Sequence, residues 1–217
     1  AHLLHGSCPN PTGAGPTAAE WQAIVGLCGR KGLIPFVDLA YQGLGDGLEE
    51  DANAARTIFS DLPAALLAYS CEKNFGLYRE RVGALWVHSP GAASDALVRG
   101  NILSLARSMW SMPPDHGAAI VRAILDDRSL RAMWSEELDA MRLRINGLRA
   151  ALAASHPRLA PVGDQRGMFA MLPLSPEAVV RLRADNGIYM AGNGRINIAG
   201  LSEASVPTFI AAAARYL

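Results

Sequence analysis

The chain has 217 residues, half of them hydrophobic, with 20 basic and 20 acidic side chains. That length and apolar fraction support one large domain or two small ones around a proper core, while the balanced charge and the lack of a basic run argue against nucleic acid or an anionic membrane surface as partners. No apolar stretch approaches bilayer-spanning length, and Cys8, Cys28 and Cys71, with no metal-type spacing, read as reduced thiols of a cytoplasmic protein with no metal site.

The opening residues, Ala1-His2-Leu3-Leu4-His5-Gly6, read as the tail of a buried strand. A core strand needs neighbours on both sides, so the expectation is that this chain is the C-terminal part of a longer protein. A turn cluster over Cys8 to Pro16 follows. Thr17 with Glu20 three residues later forms a capping box for a helix to about Gly29, with Trp21, Ile24, Val25 and Cys28 on one face. Leu33 to Ala40 is a second buried strand, followed by the glycine-rich loop Tyr41 to Gly47 and a helix over Asp51 to Phe59. Strands at Ala64 to Ala68 and Val82 to His88 complete the rhythm of an α/β domain with a mostly parallel sheet. In such sheets ligands gather at the carboxyl ends of the strands, and His5, Asp38, Tyr41, Ser70 and Lys73 all fall there.

Helices are expected over Ser94 to Met109 and His116 to Asp126, then a long one over Ser129 to Ser155. Its apolar stripe is Trp134, Leu138, Met141, Ile145, Leu148 and Leu152. Its length suggests a connector between a first unit, residues 1–128, and a small C-terminal α+β unit, residues 129–217. That unit comprises a strand over Gly167 to Leu172, a helix capped by Ser175 with Pro176 in its first turn, a strand pair at Ile188 to Met190 and Arg195 to Ala199, and a helix from Val206.

Lys73 just past a strand end, with Ser70 before it and Arg81 after it, suits a carbonyl cofactor that carries a phosphate. The amine can form a Schiff base, and the hydroxyl and guanidinium can hold the phosphate. Asp38 within an apolar strand either caps neighbouring backbone or faces a cationic ring nitrogen, which would keep a cofactor ring protonated as an electron sink. Tyr41 is either a packed tyrosine or a donor to a ring oxygen, and Asn10 is a turn residue or a second donor to that oxygen. Arg195, leading an apolar β segment, suits a carboxylate gripped by its fork or an inter-domain salt bridge. Arg107 reads physically as a solvated helix residue, His5 as a packed strand histidine and His116 as a helix cap. Gly13-Ala14-Gly15 lacks the Lys-Ser/Thr ending of a nucleotide loop.

These segments together resemble the class I aminotransferases, in particular the aspartate and aromatic amino acid aminotransferases of pyridoxal-phosphate fold type I. The collinear motifs are His5 to Gly13, Asp38-Leu39-Ala40-Tyr41-Gln42-Gly43, Ser70 to Gly83, Pro113 to Gly117, Gly167-Met168-Phe169 and Gly194 to Gly200. The resemblance implies a three-layer large domain, present in part, joined by the long helix to the small domain. It implies pyridoxal 5'-phosphate as cofactor and the transfer of an amino group from aspartate, glutamate or an aromatic amino acid to a 2-oxo acid such as 2-oxoglutarate. Lys73 then matches the cofactor-bonded lysine, Asp38 the ring-nitrogen partner, Tyr41 and Asn10 the donors to the phenolic oxygen, and Ser70 and Arg81 the phosphate contacts. Arg195 matches the clamp on the substrate α-carboxylate, with Phe169 beside it. Arg107 matches a residue reaching from the partner subunit of a homodimer to a distal carboxylate, and His5 a histidine behind Asp38.

Three residues depart from the family pattern: Pro9 where His is usual, Glu72 where Ser precedes the lysine, and Trp110 near a common tyrosine. The rival expectations are another fold type I reaction, such as elimination or decarboxylation, and a truncated or diverged non-catalytic paralogue.

Overall fold

A computed structural model describes all 217 residues. The first half builds a four-stranded sheet in the order β1 (His2–His5), β2 (Pro35–Leu39), β3 (Ala65–Ser70) and β4 (Gly83–His88). The first three strands are parallel; β4 returns antiparallel to β3 because residues 71–82 contain turns but no helix to carry the chain back across the sheet. The expected α/β architecture with a mostly parallel sheet is therefore present.

Helices α1 (Ala18–Lys31) and α2 (Asn53–Asp61) cover one sheet face. The Thr17–Glu20 capping box forms, and Gly32 closes α1 in the left-handed region that glycine adopts without strain. Trp21, Val25 and Cys28 of α1 pack with Ala54, Ala55 and Ile58 of α2 against Val37, Leu39 and Ala65. Each fully buried aliphatic side chain there contributes about 1.5–3 kcal/mol relative to exposure. In β2, Pro35, Val37 and Leu39 are buried while Phe36 and Asp38 are only partly so. The two-residue period thus sends Asp38 to the opposite face from the helices. Within these 217 residues β1 pairs with β2 alone, and its Leu3 is 64% exposed.

Next come α3 (Ala92–Trp110), which buries no residue, α4 (His116–Asp126) and α5 (Arg128–Ser155). Four stripe positions of α5 are buried, Leu138, Ile145, Leu148 and Leu152. Met141 is not, being 40% exposed on the flank of the stripe. The α5 stripe packs on a second apolar cluster built from α6 (Pro161–Asp164), β5 (Phe169–Met171), α7 (Pro176–Asn186), β6 (Arg195–Asn197) and α8 (Ser205–Ala213). Cys8, Tyr41 and Leu44 from the first half join this cluster.

Ile188 to Met190 is not a strand, contrary to expectation; β6 pairs antiparallel with β5 instead. The cause lies at the end of α7. Gly187 is left-handed, and Ile188 spends its N–H on the Leu182 carbonyl, closing the helix in a 6→1 bond.

Candidate active site

The side chains singled out at the strand ends meet at the carboxyl ends of the parallel strands β1, β2 and β3. β1 and β2 run in register, so His5 lies beside Asp38, with 3.9 Å between imidazole Nδ1 and carboxylate Oδ2. The Gly6 N–H donates to the Asp38 carbonyl, tying the start of the 6–17 loop to the end of β2.

The loop after β2 is shaped by Asp51, a residue sequence reasoning placed only at a helix start. Its carboxylate accepts from the N–H groups of Gly43, Gly45 and Asp46 at 2.8–3.0 Å. Burial pushes the Asp51 carboxyl above its ordinary range, and the three backbone donors pull the other way. A glycine loop whose N–H groups turn inward needs such an acceptor, which is the signal available in the sequence. The loop presents Tyr41, which is 7% exposed. Its hydroxyl accepts from Asn10 Nδ2 at 3.5 Å, and Asn10 Oδ1 accepts from Arg195 Nη1 at 3.4 Å. The Arg195 guanidinium lies 5.2 Å from the Phe169 ring centroid, over its face. Four sequence-distant segments thus form one chain of contacts.

Lys73 follows β3, its side chain 19% exposed and its amine 5.4 Å from the Tyr41 ring centroid. Lys73 and Asp38 line one cleft of about 380 Å³, together with Ser70, Glu72 and Arg81. Glu72 bridges the two cations: one carboxylate oxygen is 3.3 Å from Lys73 Nζ, and the other pairs with Arg81 Nη1. Ser70 Oγ accepts from the Glu72 N–H at 3.2 Å. Arg81 is largely exposed and in the left-handed region, φ 52°. Tyr78 approaches from the rim; burial raises its phenol while the Lys73 charge pulls it down.

Asn74 pins the lysine segment to the connector helix. It is 1% exposed, its side-chain Nδ2 donates to Tyr69 Oη at 2.8 Å, and its backbone carbonyl accepts from Trp134 Nε1 at 2.7 Å. Phe75 stacks on Trp134 at 4.4 Å. A second missed residue is Arg149, 1% exposed within α5. It donates to the carbonyls of Val162, Arg166, Gly167 and Phe169, and burial pulls its pKa down to about 10. It stands four residues after Ile145 and three before Leu152, so the stripe itself carried the signal.

Arg107 is not brought to this cluster; it lies exposed on α3 and makes no side-chain hydrogen bond or ion pair with these residues. Trp110 is likewise exposed, at the end of α3. His116 does not cap α4, because Asp115 holds the cap position and His116 Nδ1 instead meets Glu80 Oε2 at 2.8 Å.

Comparison with known proteins gives a consistent picture. The family model described as aminotransferase class I and II matches residues 1–212. The tyrosine aminotransferase of Rhizobium meliloti is 54% identical over 208 residues, covering 94% of this chain and 54% of the relative. The aromatic-amino-acid aminotransferase of Pseudomonas aeruginosa is 48% identical, covering 92% of this chain and 51% of the relative. A crystal structure of an aromatic-amino-acid aminotransferase from Burkholderia pseudomallei, covalently bound to pyridoxal phosphate, superposes with a TM-score of 0.94 at 37% identity, over 99% of this chain and 55% of that one. The chain spans about half the length of the curated relatives it matches.

Proposed function

Because this chain belongs to the class I and II aminotransferase family, we propose that it carries the lysine-bearing part of a pyridoxal phosphate-dependent transaminase. The enzyme moves an amino group from an aromatic amino acid, aspartate or glutamate to a 2-oxo acid such as 2-oxoglutarate. The observation that carries this reading is the single cleft holding the Lys73 amine and the Asp38 carboxylate. The names of the two curated relatives favour an aromatic donor.

The residues present fit the cofactor. The cleft of about 380 Å³ lies in the range of small-molecule sites. It offers an amine, a carboxylate, and a hydroxyl beside a guanidinium, one partner each for an aldehyde, a ring N–H and a phosphate, with the Glu72 carboxylate as an added anion at the phosphate corner. When bound, the cofactor supplies an electrophilic aldehyde and a ring that draws electrons from the substrate Cα. Lys73 Nζ would hold the aldehyde at rest and, once released, carry the proton at the substrate Cα. Asp38, steadied by His5, would keep the ring nitrogen protonated. Tyr41 and Asn10 would hold the ring oxygen, and Ser70 and Arg81 the phosphate. Arg195, resting on Phe169, would grip the substrate α-carboxylate with its fork.

The homodimer belongs to the same proposal, with Arg107 serving the neighbouring site. Leu97, Leu105, Met109 and Trp110 on α3 are all more than half exposed, an apolar surface that favours a covering partner. A three-layer cofactor unit over residues 1–128 and a connector with a small unit over 129–217 complete the reading. The two apolar clusters support that division, although Tyr41 and Cys8 join the second, so the boundary crosses the site. No helix is long and apolar enough to cross a membrane, and three free cysteines favour a reducing, cytoplasmic setting.

The test uses the complete polypeptide with pyridoxal phosphate, tyrosine or aspartate, and 2-oxoglutarate. Paired formation of glutamate and the donor's 2-oxo acid supports the reading. Ammonia or carbon dioxide release without an acceptor points to elimination or decarboxylation, and no product from any donor sinks catalysis altogether.

A further inference from the structure

Glu72 occupies the corner of the cleft where anion-binding groups converge. Ser70 offers a hydroxyl, Arg81 a guanidinium and Lys73 an ammonium, and all line the same cavity. Its side chain is only 12% exposed, and its two oxygens are engaged separately, one with Lys73 Nζ at 3.3 Å and one with Arg81 Nη1. The backbone fixes the carboxylate's base: the Glu72 N–H donates to Ser70 Oγ, and the Cys71 N–H donates to the Val82 carbonyl. The main chain under Glu72 is thus held in place, and its single negative charge is shared between the two cations.

We propose that Glu72 is a built-in anion that makes this cleft discriminate against a phosphate group on its carbonyl ligand. The inference rests on the reading of Lys73 as the aldehyde-holding residue and names a specificity determinant within that site. A phosphate monoester carries about −1.5 to −2 charge at neutral pH. To use Ser70 and Arg81 it must displace the carboxylate or sit against it, and like charges a few ångström apart repel. A carbonyl ligand without the phosphate meets no such conflict. The cleft then accepts pyridoxal more nearly as well as pyridoxal phosphate than the chemistry of Ser70 and Arg81 alone would allow. A purely structural role for the Glu72–Arg81 pair predicts something different: its removal would lower stability and leave the two ligands affected alike.

The experiment is a pair of absorbance titrations, with pyridoxal 5'-phosphate and with pyridoxal, on the complete polypeptide and on its Glu72→Ser and Glu72→Gln variants. Thermal melting verifies that each variant is folded, and Glu72→Gln retains the side-chain shape should Glu72→Ser fail to fold. Inorganic phosphate serves as competitor in a third titration. Removing the carboxylate is expected to shift the affinity ratio about tenfold or more toward pyridoxal phosphate over pyridoxal, any effect of the lost Lys73 contact being common to both aldehydes, and to strengthen inorganic phosphate competition in parallel. Equal changes for both aldehydes, or none, overturn the role of Glu72 while leaving Lys73 as the aldehyde site. No absorbing adduct with either aldehyde, in any of the three proteins, overturns the Lys73 reading and this inference with it.

Discussion

Asn10 and Arg195 lie 185 residues apart and meet at 3.4 Å, Nη1 of the arginine donating to the amide oxygen. The same Asn10 donates through its nitrogen to the Tyr41 hydroxyl. One amide thus joins the proposed substrate clamp to the proposed cofactor oxygen site, using both of its ends. Asn10 and Arg195 interact directly, so their effects will not add. Arg195→Lys keeps the charge and loses the fork, and is expected to raise KM for the amino acid about tenfold or more. Asn10→Ala should reduce that penalty when combined with Arg195→Lys. A double-mutant cycle on kcat/KM measures this, and strictly additive effects would show that the bridge has no functional weight.

Lys73→Ala removes the only amine in the cleft shared with Asp38. Transamination should fall by on the order of a thousandfold or more. The fold should survive, since the segment is anchored by Asn74 through Tyr69 and Trp134 rather than by the lysine. Stopped assays with tyrosine and thermal melting together check both halves. Residual activity within tenfold of wild type would remove Lys73 from the chemistry.

Glu80 raises the pKa of His116 above its ordinary value of 6.5, chiefly through the side-chain hydrogen bond. A raised folded pKa means that the pair's contribution is fully present below the unfolded value and fades as pH rises through the folded one. The melting-temperature difference between wild type and His116→Gln should therefore be larger at pH 6 than at pH 9. His2, His5, His88 and His156 are common to both proteins and cancel in that difference. A gap independent of pH would mean that the 2.8 Å contact is not an ion pair in solution.

The strand-end placement of Asp38, Ser70 and Lys73 was legible because period-two burial and parallel topology leave few places for a charged side chain at a strand's carboxyl end. The chain of contacts through Asn10 was not, since no local signal reports a meeting across 185 residues. Glu72 stood out as a departure, but its two-sided bridge depends on Arg81 adopting a left-handed backbone nine residues on. Met141 fitted the stripe by spacing and lost by position, because the second cluster reaches only one flank of α5 there. The Ile188 to Met190 segment has the β-branched and aromatic look of a strand, yet the closure of α7 claims the Ile188 N–H first.

Arg149 is the stability counterpart of these site residues. Its guanidinium serves four carbonyls inside the fold. Replacing it with Met fills much of the volume and leaves those acceptors without donors. The expected loss is about 3–5 kcal/mol, the range for removing one partner of a buried charged network. Urea unfolding midpoints at constant m-value measure it. A loss under about 1 kcal/mol would mean that water reaches the vacated carbonyls.

Gly167 tests how tightly the first half of the chain is keyed into the second. Its φ is +89°, and a Cβ there would stand 2.5 Å from Cys8 Cβ, while its carbonyl already accepts from Arg149. Gly187 has φ +65°, with no atom within 4 Å of the place a Cβ would take. Gly187→Ala should therefore show backbone strain alone, about 1 kcal/mol. Gly167→Ala adds a collision with the residue two before Asn10, for a total of about 2–4 kcal/mol. Because Cys8 moves with it, Gly167→Ala should also raise KM for the amino acid, whereas Gly187→Ala should not. Equal losses in the two variants, with KM unchanged in both, would show that the 8–10 segment yields freely and that Asn10 is not held in place by this packing.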